Sequence, residues 1–398
     1  MQKIYKTVII GGGASGLMAA VELLSGKNSF CGSDVLILER NDRVGKKLIA
    51  TGNGQGNLMN ANFSPSNYRG EKSFVYSFID SAEKINLENY LFDLGIPLCT
   101  LKDGKKYPLS RQASAVLDII RAFLSDKGCQ IQTDCKVTKV TKTNDFFTIF
   151  TEKDKFFAEK VIMATGGMAA KQFGTDGTSY ALAQNFGHKL TLLYPSLVQL
   201  KTETQWIKGL KGLKETARVT AFSNGEKMTA TGDLLFTDYG VSGNTIFQVS
   251  AILTGKKDER LEIEFLPELT KDQIIKLLER REKLPHINKE DVLCGILNKR
   301  IGQAVLKRAK SGDIKDIAAA IKQFTLKVTG NTGFNYAQVT KGGISTEFID
   351  KDTMQSKLAS GFYVVGETLD VDGDCGGYNV TFAFISGIIA ARSIKGVL

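Results

Sequence analysis

The sequence predicts an α/β protein in which a Rossmann-type nucleotide-binding domain is interrupted by a long insertion. Three observations predict this fold class. The chain begins with a βαβ unit that carries a glycine-rich turn, its character changes near residue 195, and strands and glycine turns return near residue 340. We therefore expect residues 1–194 and 340–398 to form one domain, with residues 195–339 inserted into it.

The first βαβ unit is recognised from the spacing of its apolar residues. Residues 6–10 predict a short buried strand, and residues 11–16 form a glycine turn. Apolar residues at helical spacing predict a helix over residues 17–24, and residues 34–38 predict a second strand that Glu39 closes. This order of elements is typical of dinucleotide-binding proteins.

The remaining segments alternate between regular and irregular structure. Residues 45–60 are rich in Gly and Asn, and we expect no regular element there. The further predicted elements are, in order, a helical region at 71–95, strands within 136–150, a buried strand at 161–163 before Gly166-Gly167, β-rich structure at 196–265 with strands at 217–222 and 261–265, charged helices at 271–325, and a strand at 361–365 before Gly366-Glu367.

The glycine turn matches the pattern G-x-G-x-x-G at Gly11, Gly13 and Gly16. Gly11 permits the tight turn, Gly13 lets the backbone approach a pyrophosphate, and Gly16 lets helix and strand pack closely. The pyrophosphate accepts hydrogen bonds from N–H groups at the start of the helix, where Ala14 and Ser15 lie. The turn therefore predicts a dinucleotide site.

Glu39 lies 23 residues after Gly16. A carboxylate there accepts hydrogen bonds from the adenosine ribose hydroxyls and disfavours a ribose 2′-phosphate. Arg40 and the glycine-rich segment that follows favour FAD over NAD, because a simple NAD enzyme proceeds at once to further βα units. The residues of that segment expected along the cofactor are Lys46, Lys47, Gly52 and Asn53.

Two later segments also suit a large bound cofactor. Ala164, Thr165 and Gly166 follow a predicted buried strand and permit another close approach of the backbone. Residues 371–379 precede an apolar helix predicted over residues 380–392, whose N-terminus we expect to face the flavin pyrimidine edge. A helix N-terminus stabilises the negative charge of a reduced flavin near N1 and O2. The residues at this end are Gly377, Tyr378, Asn379 and Val380.

Composition disfavours several other classes of protein. The six cysteines include no C-x-x-C pair and the chain has two histidines, which disfavours a zinc site, an iron–sulfur cluster and a dithiol centre. No apolar run is long enough to cross a membrane, and the first residues do not resemble a signal peptide. We expect a cytoplasmic protein without a metal site, and the net charge of +10 suits phosphate, RNA or anionic partners.

Longer motifs resemble the BaiN/YhiN-like family of FAD-dependent oxidoreductases, which includes aminoacetone oxidases. The resemblance runs from one end of the chain to the other. The matching motifs are GGGASGL at 11–17, GKKLIATGNGQGNLMN at 45–60, ATGG at 164–167, GTDGTSY at 174–180, GH at 187–188, LLFTDYGVSGN at 234–244, TMQSKL at 353–358 and VDGDCGGYN at 371–379.

The family resemblance implies an FAD-binding domain built from both ends of the chain, with an inserted β-barrel-like plus helical domain. We expect Glu367, beside Gly366, to belong to the same cofactor site. The flavin contacts that the resemblance implies are Gly13, Ser15, Glu39, Arg40, Lys47, Gly52, Asn57, Val137, Gly366, Gly377 and Asn379.

The chain departs from the family pattern at three places. Many members read G-R-C-N where this chain has residues 54–57, so chemistry assigned to that Arg and Cys does not transfer. Asp238 stands where many members have His, and Asn244 replaces Pro in the same segment. Cys375 occupies a position near the expected flavin edge where Thr is common, either as a flavin neighbour or as a small packing residue.

The residues for catalysis are expected where the two domains meet, because pockets favour domain junctions. The candidate polar residues are Tyr239, Asp238, Ser242 and Tyr378. Each also has a structural interpretation. Tyr378 and Asn379 can shape the turn before the last helix, and Asp238 can cap a turn.

The leading functional hypothesis is hydride transfer between flavin N5 and a small organic substrate, either an amine or a conjugated ketone. The sequence holds no second dinucleotide fingerprint, so either NAD(P)H docks transiently as electron donor or oxygen is the electron acceptor. Two alternatives stay open: flavin-dependent reduction or modification of an RNA base, and a non-catalytic flavin-binding redox sensor.

Charge motivates the RNA hypothesis. Residues 195–339 hold 23 Lys and Arg against 17 Asp and Glu, a surplus of six. The alternative is an ordinary solvated helix surface. The candidate basic residues are Lys208, Lys211 and Lys214, and separately Lys299, Arg300, Lys307, Arg308 and Lys310.

Overall fold

The computed structural model describes residues 3–143, 146–256, 258–309 and 311–397. The chain divides into two compact units, each with its own hydrophobic core. Two segments of the chain form the terminal unit, one up to Tyr194 and one from Val339 onward. The inserted unit covers Pro195–Gln338.

Strands are spread over both units. They are β1 Ile4–Ile10, β2 Val35–Leu38, β3 Met59–Asn60, β4 Tyr68–Arg69, β5 Leu98–Thr100, β6 Lys105–Pro108, β7 Gln130–Gln132, β8 Val137–Thr143, β9 Phe146–Thr151, β10 Lys155–Met163, β11 Tyr194–Ser196, β12 Leu200–Thr202, β13 Lys214–Ser223, β14 Glu226–Phe236, β15 Gly240–Ser242, β16 Arg260–Phe265, β17 Phe324–Asn331, β18 Val339–Lys341, β19 Phe362–Val364 and β20 Asp372–Gly373.

Helices are fewer and longer. They are α1 Ala14–Leu23, α2 Lys46–Ile49, α3 Lys72–Ile85, α4 Leu87–Asp93, α5 Ala113–Asp126, α6 Tyr180–Gln184, α7 Asn244–Val249, α8 Lys271–Glu282, α9 Lys299–Arg308, α10 Ile314–Lys322 and α11 Tyr378–Lys395.

The terminal unit is built on a seven-stranded sheet of order β7-β2-β1-β10-β9-β8, in which β19 also pairs with β10. Strands β7, β2, β1, β10 and β19 run parallel, whereas β9 is antiparallel to β10 and β8 to β9. All four residues of β2 are buried, as expected for parallel strands covered on both faces. The predicted Rossmann-type fold is confirmed.

The register of this sheet aligns the carboxyl ends of four strands. Ile10 of β1 lies opposite Leu38 of β2 and Met163 of β10, and Met163 lies opposite Val364 of β19. The loops after these four strands therefore begin at one edge of the sheet, the edge at which open α/β sheets bind ligands.

Helices α1 and α11 pack closely within the terminal unit. A methyl group at Gly387 of α11 would lie 2.3 Å from the carbonyl oxygen of Ser15, so glycine is required for this approach. Near the other end of α1, the buried Lys395 ammonium donates to the Glu22 carboxylate at 2.8 Å and to the carbonyls of Glu22 and Ser25 at 2.7 and 2.9 Å. Gly377, the N-cap of α11, lies ten residues before Gly387, about 15 Å along the helix axis.

The inserted unit contains a closed antiparallel barrel of order β12-β15-β14-β13-β16-β17. Helices α8, α9 and α10 lie between β16 and β17 in the chain. Buried Phe265 and Phe324, with ring centroids 5.7 Å apart, belong to one core with Ile317 and Ile321 of α10.

Two predicted boundaries and one predicted irregular segment were wrong. Phe324 and Thr325 belong to strand β17 rather than to the helical region 271–325, because their strand pairs with β16 and β12 to close the barrel. Residues 45–60 include the one-turn helix α2 as well as irregular structure. The last helix begins at Tyr378 rather than at Val380.

In the part of the chain that the structure describes, none of the helices combines the length and apolarity needed to cross a bilayer.

Replacing Lys395 with Met (K395M) tests the buried ion pair that joins α11 to α1. We expect the free energy of unfolding to fall by about 3 kcal/mol, because the buried Glu22 carboxylate loses its ammonium partner. Arg392, 3.4 Å away, is the basic neighbour that remains. Urea unfolding followed by circular dichroism measures the change. In the control K189M, which breaks the exposed pair of Lys189 with Glu347, the loss should stay below about 1 kcal/mol. Equal losses in the two variants would contradict this assignment.

Candidate cofactor and active site

The glycine turn after β1 combines two tight contacts with one open position. A methyl group at Gly11 would lie 2.4 Å from the Ala164 carbonyl oxygen, and one at Gly16 would lie 2.0 Å from the Gly11 carbonyl oxygen. At Gly13, apart from its two chain neighbours, no atom of the described residues lies within 4 Å of the same position. Gly11 and Gly16 therefore serve internal packing, whereas Gly13 borders space that a ligand can occupy.

The N-terminus of α1 is available to an anion. Gly13 precedes the helix in an extended conformation and no side chain caps it. The first helical hydrogen bond runs from Leu17 N–H to the Gly13 carbonyl at 2.9 Å. The N–H groups of Ala14, Ser15 and Gly16 precede that bond, and such N–H groups with the helix dipole favour a pyrophosphate.

Glu39 is buried and held firmly at the end of β2. Its carboxylate accepts hydrogen bonds from the Gly12 N–H at 2.8 Å, from the Asn41 N–H at 2.8 Å and from Asn41 Nδ2 at 2.7 Å. The Cys135 N–H donates to the Glu39 carbonyl at 2.9 Å, which brings the start of β8 and the buried Val137 to this end of the sheet.

Arg40 turns toward the segment after β10. Its guanidinium forms a bidentate pair with Asp176, at 2.7 and 2.9 Å, and the hydrogen bond from Arg40 holds the pKa of Asp176 well below its usual range. Asp176 also accepts hydrogen bonds from the N–H and hydroxyl of Thr178. The pair fastens this segment beside Glu39, so Arg40 positions the wall of the expected adenosine site.

Lys46 and Lys47 have different partners. Lys46 pairs with Asp42 at 2.5 Å. Lys47 donates to the Glu367 carboxylate at 2.6 Å and approaches the Ala169 carbonyl at 3.4 Å. The structure therefore brings Lys47 and Glu367, which are 320 positions apart, into one ion pair.

The loop after α2 is shaped by left-handed backbone conformations at Gly52 and Asn53. A methyl group at Gly52 would lie 2.8 Å from the Asn57 amide nitrogen. Asn57 is buried and its side-chain oxygen has no hydrogen-bond partner among the described residues, and the same holds for the buried hydroxyl of Thr165. Buried polar atoms are nearly always paired, so both atoms fit a site that a polar cofactor completes.

Gly366 brings the last sheet strand against α1. A methyl group at Gly366 would lie 2.6 Å from Ser15 Oγ, and its backbone adopts a φ of 65°. The Gly166 N–H donates to Thr368 Oγ1 at 3.1 Å, which joins the turn after β10 to the turn after β19. The loops after β1, β10 and β19 thus meet at the start of α1.

The N-terminus of α11 forms a second uncapped helix end. Gly377 has a φ of 100° and no side-chain cap, and a methyl group there would lie 2.5 Å from the Met59 carbonyl oxygen. The first helical bond runs from Thr381 N–H to the Gly377 carbonyl at 2.9 Å. Asn379 and Val380 lie in the first turn, before that bond.

Tyr378 and Asn379 use their side chains to shape this region. The Tyr378 hydroxyl donates to the Asn62 carbonyl at 2.8 Å, and burial raises the pKa of Tyr378 to about 12. The Asn379 side chain bonds to both the N–H and the carbonyl of Gly373 at 2.8 Å. These contacts support the structural interpretation of both side chains.

A partly buried cation secures the loop that leads into α11. Arg69 Nε donates to Asp372 and Nη1 donates to Asp374, both at 2.7 Å. Burial raises the pKa of Asp372 even though Arg69 opposes that shift. Sequence reasoning missed this clamp, because nothing in the local pattern around Arg69 indicates pairing with residues some 300 positions later.

The other catalytic candidates lie in the inserted unit. Asp238 is exposed and pairs with Lys211 at 2.7 Å, and that hydrogen bond lowers its pKa. The Tyr239 carbonyl accepts a hydrogen bond from Thr202 N–H at 3.0 Å, and Ser242 is buried at the end of β15. Asp238 and Tyr239 lie in the connection between β14 and β15 and Ser242 ends β15, so all three belong to the inserted unit, whereas Tyr378 belongs to the terminal unit.

Within the described ranges, no group of three or more His, Cys, Asp or Glu residues is arranged to hold a metal ion.

Comparisons with known proteins identify relatives over almost the full length. A family model described as the HI0933-like protein Rossmann domain matches residues 5–393. A 3-dehydro-bile acid delta(4,6)-reductase from Clostridium scindens is 34% identical, with 97% of this chain and 98% of that protein aligned. A ribosomal RNA dihydrouridine synthase from Haemophilus influenzae is 25% identical, with 99% of this chain and 100% of that protein aligned.

A solved structure shows the same fold. The 3-ketosteroid-delta4-(5alpha)-dehydrogenase of Rhodococcus jostii superimposes with a TM-score of 0.52 at 15% identity, and the match covers 99% of this chain and 98% of that one.

The open position at Gly13 gives a direct test of the cofactor site. Thr is about as favourable as Gly before a helix, so the variant G13T should unfold within about 0.5 kcal/mol of the unsubstituted apoprotein. Its side chain occupies the open space, so we expect FAD affinity to fall by at least about tenfold, or 1.4 kcal/mol. FAD titration and urea unfolding of the apoproteins measure both effects.

Gly16 supplies the contrasting variant. The added methyl group in G16A meets the Gly11 carbonyl oxygen at 2.0 Å, so apoprotein stability itself should fall. Unchanged FAD affinity in G13T would rule out the assignment of the cofactor to this position.

Proposed function

Because the chain belongs to the HI0933-like family, an FAD-binding Rossmann family of flavin-dependent oxidoreductases, we propose that it reduces a carbon–carbon double bond conjugated with a carbonyl group. The observation that carries the proposal is that two full-length relatives are named for reactions on the same type of bond. A delta(4,6) double bond of a 3-oxo steroid and the C5=C6 bond of uracil are both conjugated with a carbonyl.

Reduction of such a bond needs three things from an active site. A hydride adds to the carbon β to the carbonyl, the carbonyl oxygen carries negative charge, and a proton adds to the α carbon. Reduced FAD, when bound, supplies the hydride, which carries both electrons. The protein must bind and orient both molecules and stabilise the developing charge.

Residues of the terminal unit suit the binding role. The N–H groups of Ala14 and Ser15 hold the pyrophosphate, and the fixed Glu39 carboxylate accepts from the adenosine ribose. The unpaired side-chain oxygens of Asn57 and Thr165 take polar groups of the cofactor. The N–H groups at the start of α11 stabilise negative charge at the pyrimidine edge.

The electron donor in this proposal is NAD(P)H, bound transiently because the chain has no second dinucleotide fingerprint. The test is to mix the FAD-loaded protein anaerobically with NADH or with NADPH. The flavin absorbance near ~450 nm reports the reduction. We expect one nucleotide to bleach the flavin. Cyclohex-2-en-1-one should then restore the colour at least about tenfold faster than the saturated control cyclohexanone.

Other outcomes of this experiment contradict the proposal. Bleaching by a primary amine but by neither nucleotide would indicate an amine oxidase. A flavin that no donor reduces and no acceptor re-oxidises would indicate a redox sensor rather than a reductase.

A second candidate substrate, uracil within RNA, is favoured by a basic surface on the inserted unit. Arg300 donates to the Gly209 carbonyl at 3.0 Å, and the Arg308 guanidinium lies 4.3 Å from the Trp206 ring centroid. These two contacts hold the loop before β13 against α9. The surface they form, here called the loop–α9 surface, exposes Lys208, Lys299, Arg300 and Lys307.

Other residues named for this surface are engaged elsewhere. Lys211 pairs with Asp238 and Lys214 with Asp233, both at 2.7 Å. Lys310 lies outside the described residues. The loop–α9 surface therefore depends on four exposed cations, a number that suits phosphate contacts along a short RNA segment.

A triple substitution tests the RNA candidate. In K208Q/R300Q/K307Q we expect affinity for a single-stranded oligouridine to fall. The slope of the logarithm of affinity against the logarithm of salt concentration should become less steep, by the amount that corresponds to about three phosphate contacts. Fluorescence anisotropy from low to moderate salt measures both. The control K72Q/K84Q/K351Q removes equal charge from exposed positions of the terminal unit. Equal effects of the two triples, or no binding at low salt, would remove RNA as a candidate.

A further inference from the structure

The hairpin of β5 and β6 lies beside the N-terminus of α11. Lys105 of β6 pairs with Asn60 of β3, and Asn60 Nδ2 donates to the Gly376 carbonyl at 3.1 Å. The β3 strand also contacts the helix start itself, where Gly377 meets Met59. None of the cofactor or catalytic assignments made above uses a side chain of β6.

Alternation along β6 places Lys105 and Tyr107 on one face and Lys106 on the other. A methyl group at Gly376 would lie 3.7 Å from Lys105 Cε, and one at Gly52 would lie 3.1 Å from the Tyr107 ring. This face of β6 therefore borders both the loop at residues 51–54 and the turn before α11. Those are the two segments expected along the flavin.

Lys105 carries its charge in a sheltered position. Its side chain is 18% exposed, and its ammonium lies 2.6 Å from a carboxylate oxygen of Asp103, which is 52% exposed. Partial burial acts to lower the pKa of Lys105, but the hydrogen bond and the charge of Asp103 outweigh it and the pKa is raised. The ammonium therefore stays protonated at neutral pH. Water screens the negative charge of Asp103 more than it screens the positive charge of Lys105.

We propose that Lys105 stabilises the negative charge that reduction adds to the bound flavin and so raises the flavin reduction potential. The oxidised ring takes up two electrons and one proton, the proton at N5, so one negative charge remains near N1 and O2. The dipole of α11 provides partial positive charge at that edge. Lys105 adds a full positive charge beside the same turn. This inference rests on the proposed function only in that FAD binds at this site.

Lys106 supplies a matched control on the same strand. It is also a lysine in an ion pair, with Glu88 at 2.5 Å, but it lies on the opposite face of β6. Removing either charge changes the net charge of the protein by the same amount. A difference between K105M and K106M therefore reports position rather than net charge.

The experiment is an anaerobic redox titration of FAD-loaded wild type, K105M, K105R and K106M with dithionite and reference dyes. In K105M we expect the equilibrium constant for two-electron reduction to fall about tenfold, which lowers the potential by about 30 mV. K105R, which keeps the charge, and K106M should stay within about threefold of wild type. Affinity of the oxidised flavin for sulfite, which also places negative charge on the ring, should fall in K105M alone.

Two results would overturn the inference: an unchanged potential in K105M, or an equal shift in K106M. If K105M fails to fold, K105Q replaces it, with urea unfolding as the check. No substrate is present, so failure to reduce conjugated ketones leaves this test intact. Failure of FAD binding would appear instead as absent flavin absorbance in every protein.

Discussion

The close contact between α1 and α11 determines how the terminal unit can hold a cofactor. Gly387 lets α11 approach the Ser15 carbonyl, and Lys395 joins the far end of α11 to the Glu22 carboxylate and to the carbonyls of Glu22 and Ser25. A larger residue at 387 would push the helices apart. The contact therefore fixes the separation between two uncapped helix N-termini, one at Gly13 and one at Gly377.

We propose that those two helix ends have different electrostatic partners. The start of α1 meets the pyrophosphate, whose charge is permanent, and the start of α11 meets a ring whose charge appears on reduction. The aligned ends of β1, β2, β10 and β19 supply the loops between them. In the arrangement we propose, one sheet edge binds the cofactor, and one helix end, with Lys105 beside it, influences the redox equilibrium.

Much of this arrangement could be predicted from sequence, because local patterns specify it. Glycine spacing at Gly11, Gly13 and Gly16 indicates the first turn, and apolar runs indicate the parallel strands. The alignment of strand ends explains why Glu39 and Gly366, distant in sequence, lie at one edge. The family model and the full-length relatives confirm the flavoprotein assignment.

The remaining features depend on pairing across long separations, which local sequence does not encode. Strand β17 follows three helices and is recognised as a barrel strand only through its pairing with β12 and β16. The ion pairs of Arg40 with Asp176 and of Arg69 with Asp372 arise in the same way. Lys105 reaches the start of α11 because β6 pairs with β3, and neither short strand has a distinctive pattern.

A crystal structure of the protein with FAD would show whether the two helix N-termini hold one FAD. The distances to measure run from the pyrophosphate oxygens to the Ala14 and Ser15 nitrogens, and from flavin O2 to the first-turn nitrogens of α11. We expect hydrogen bonds of about 3 Å at both ends. A flavin whose pyrimidine edge lies away from α11, or a pyrophosphate away from α1, would contradict it.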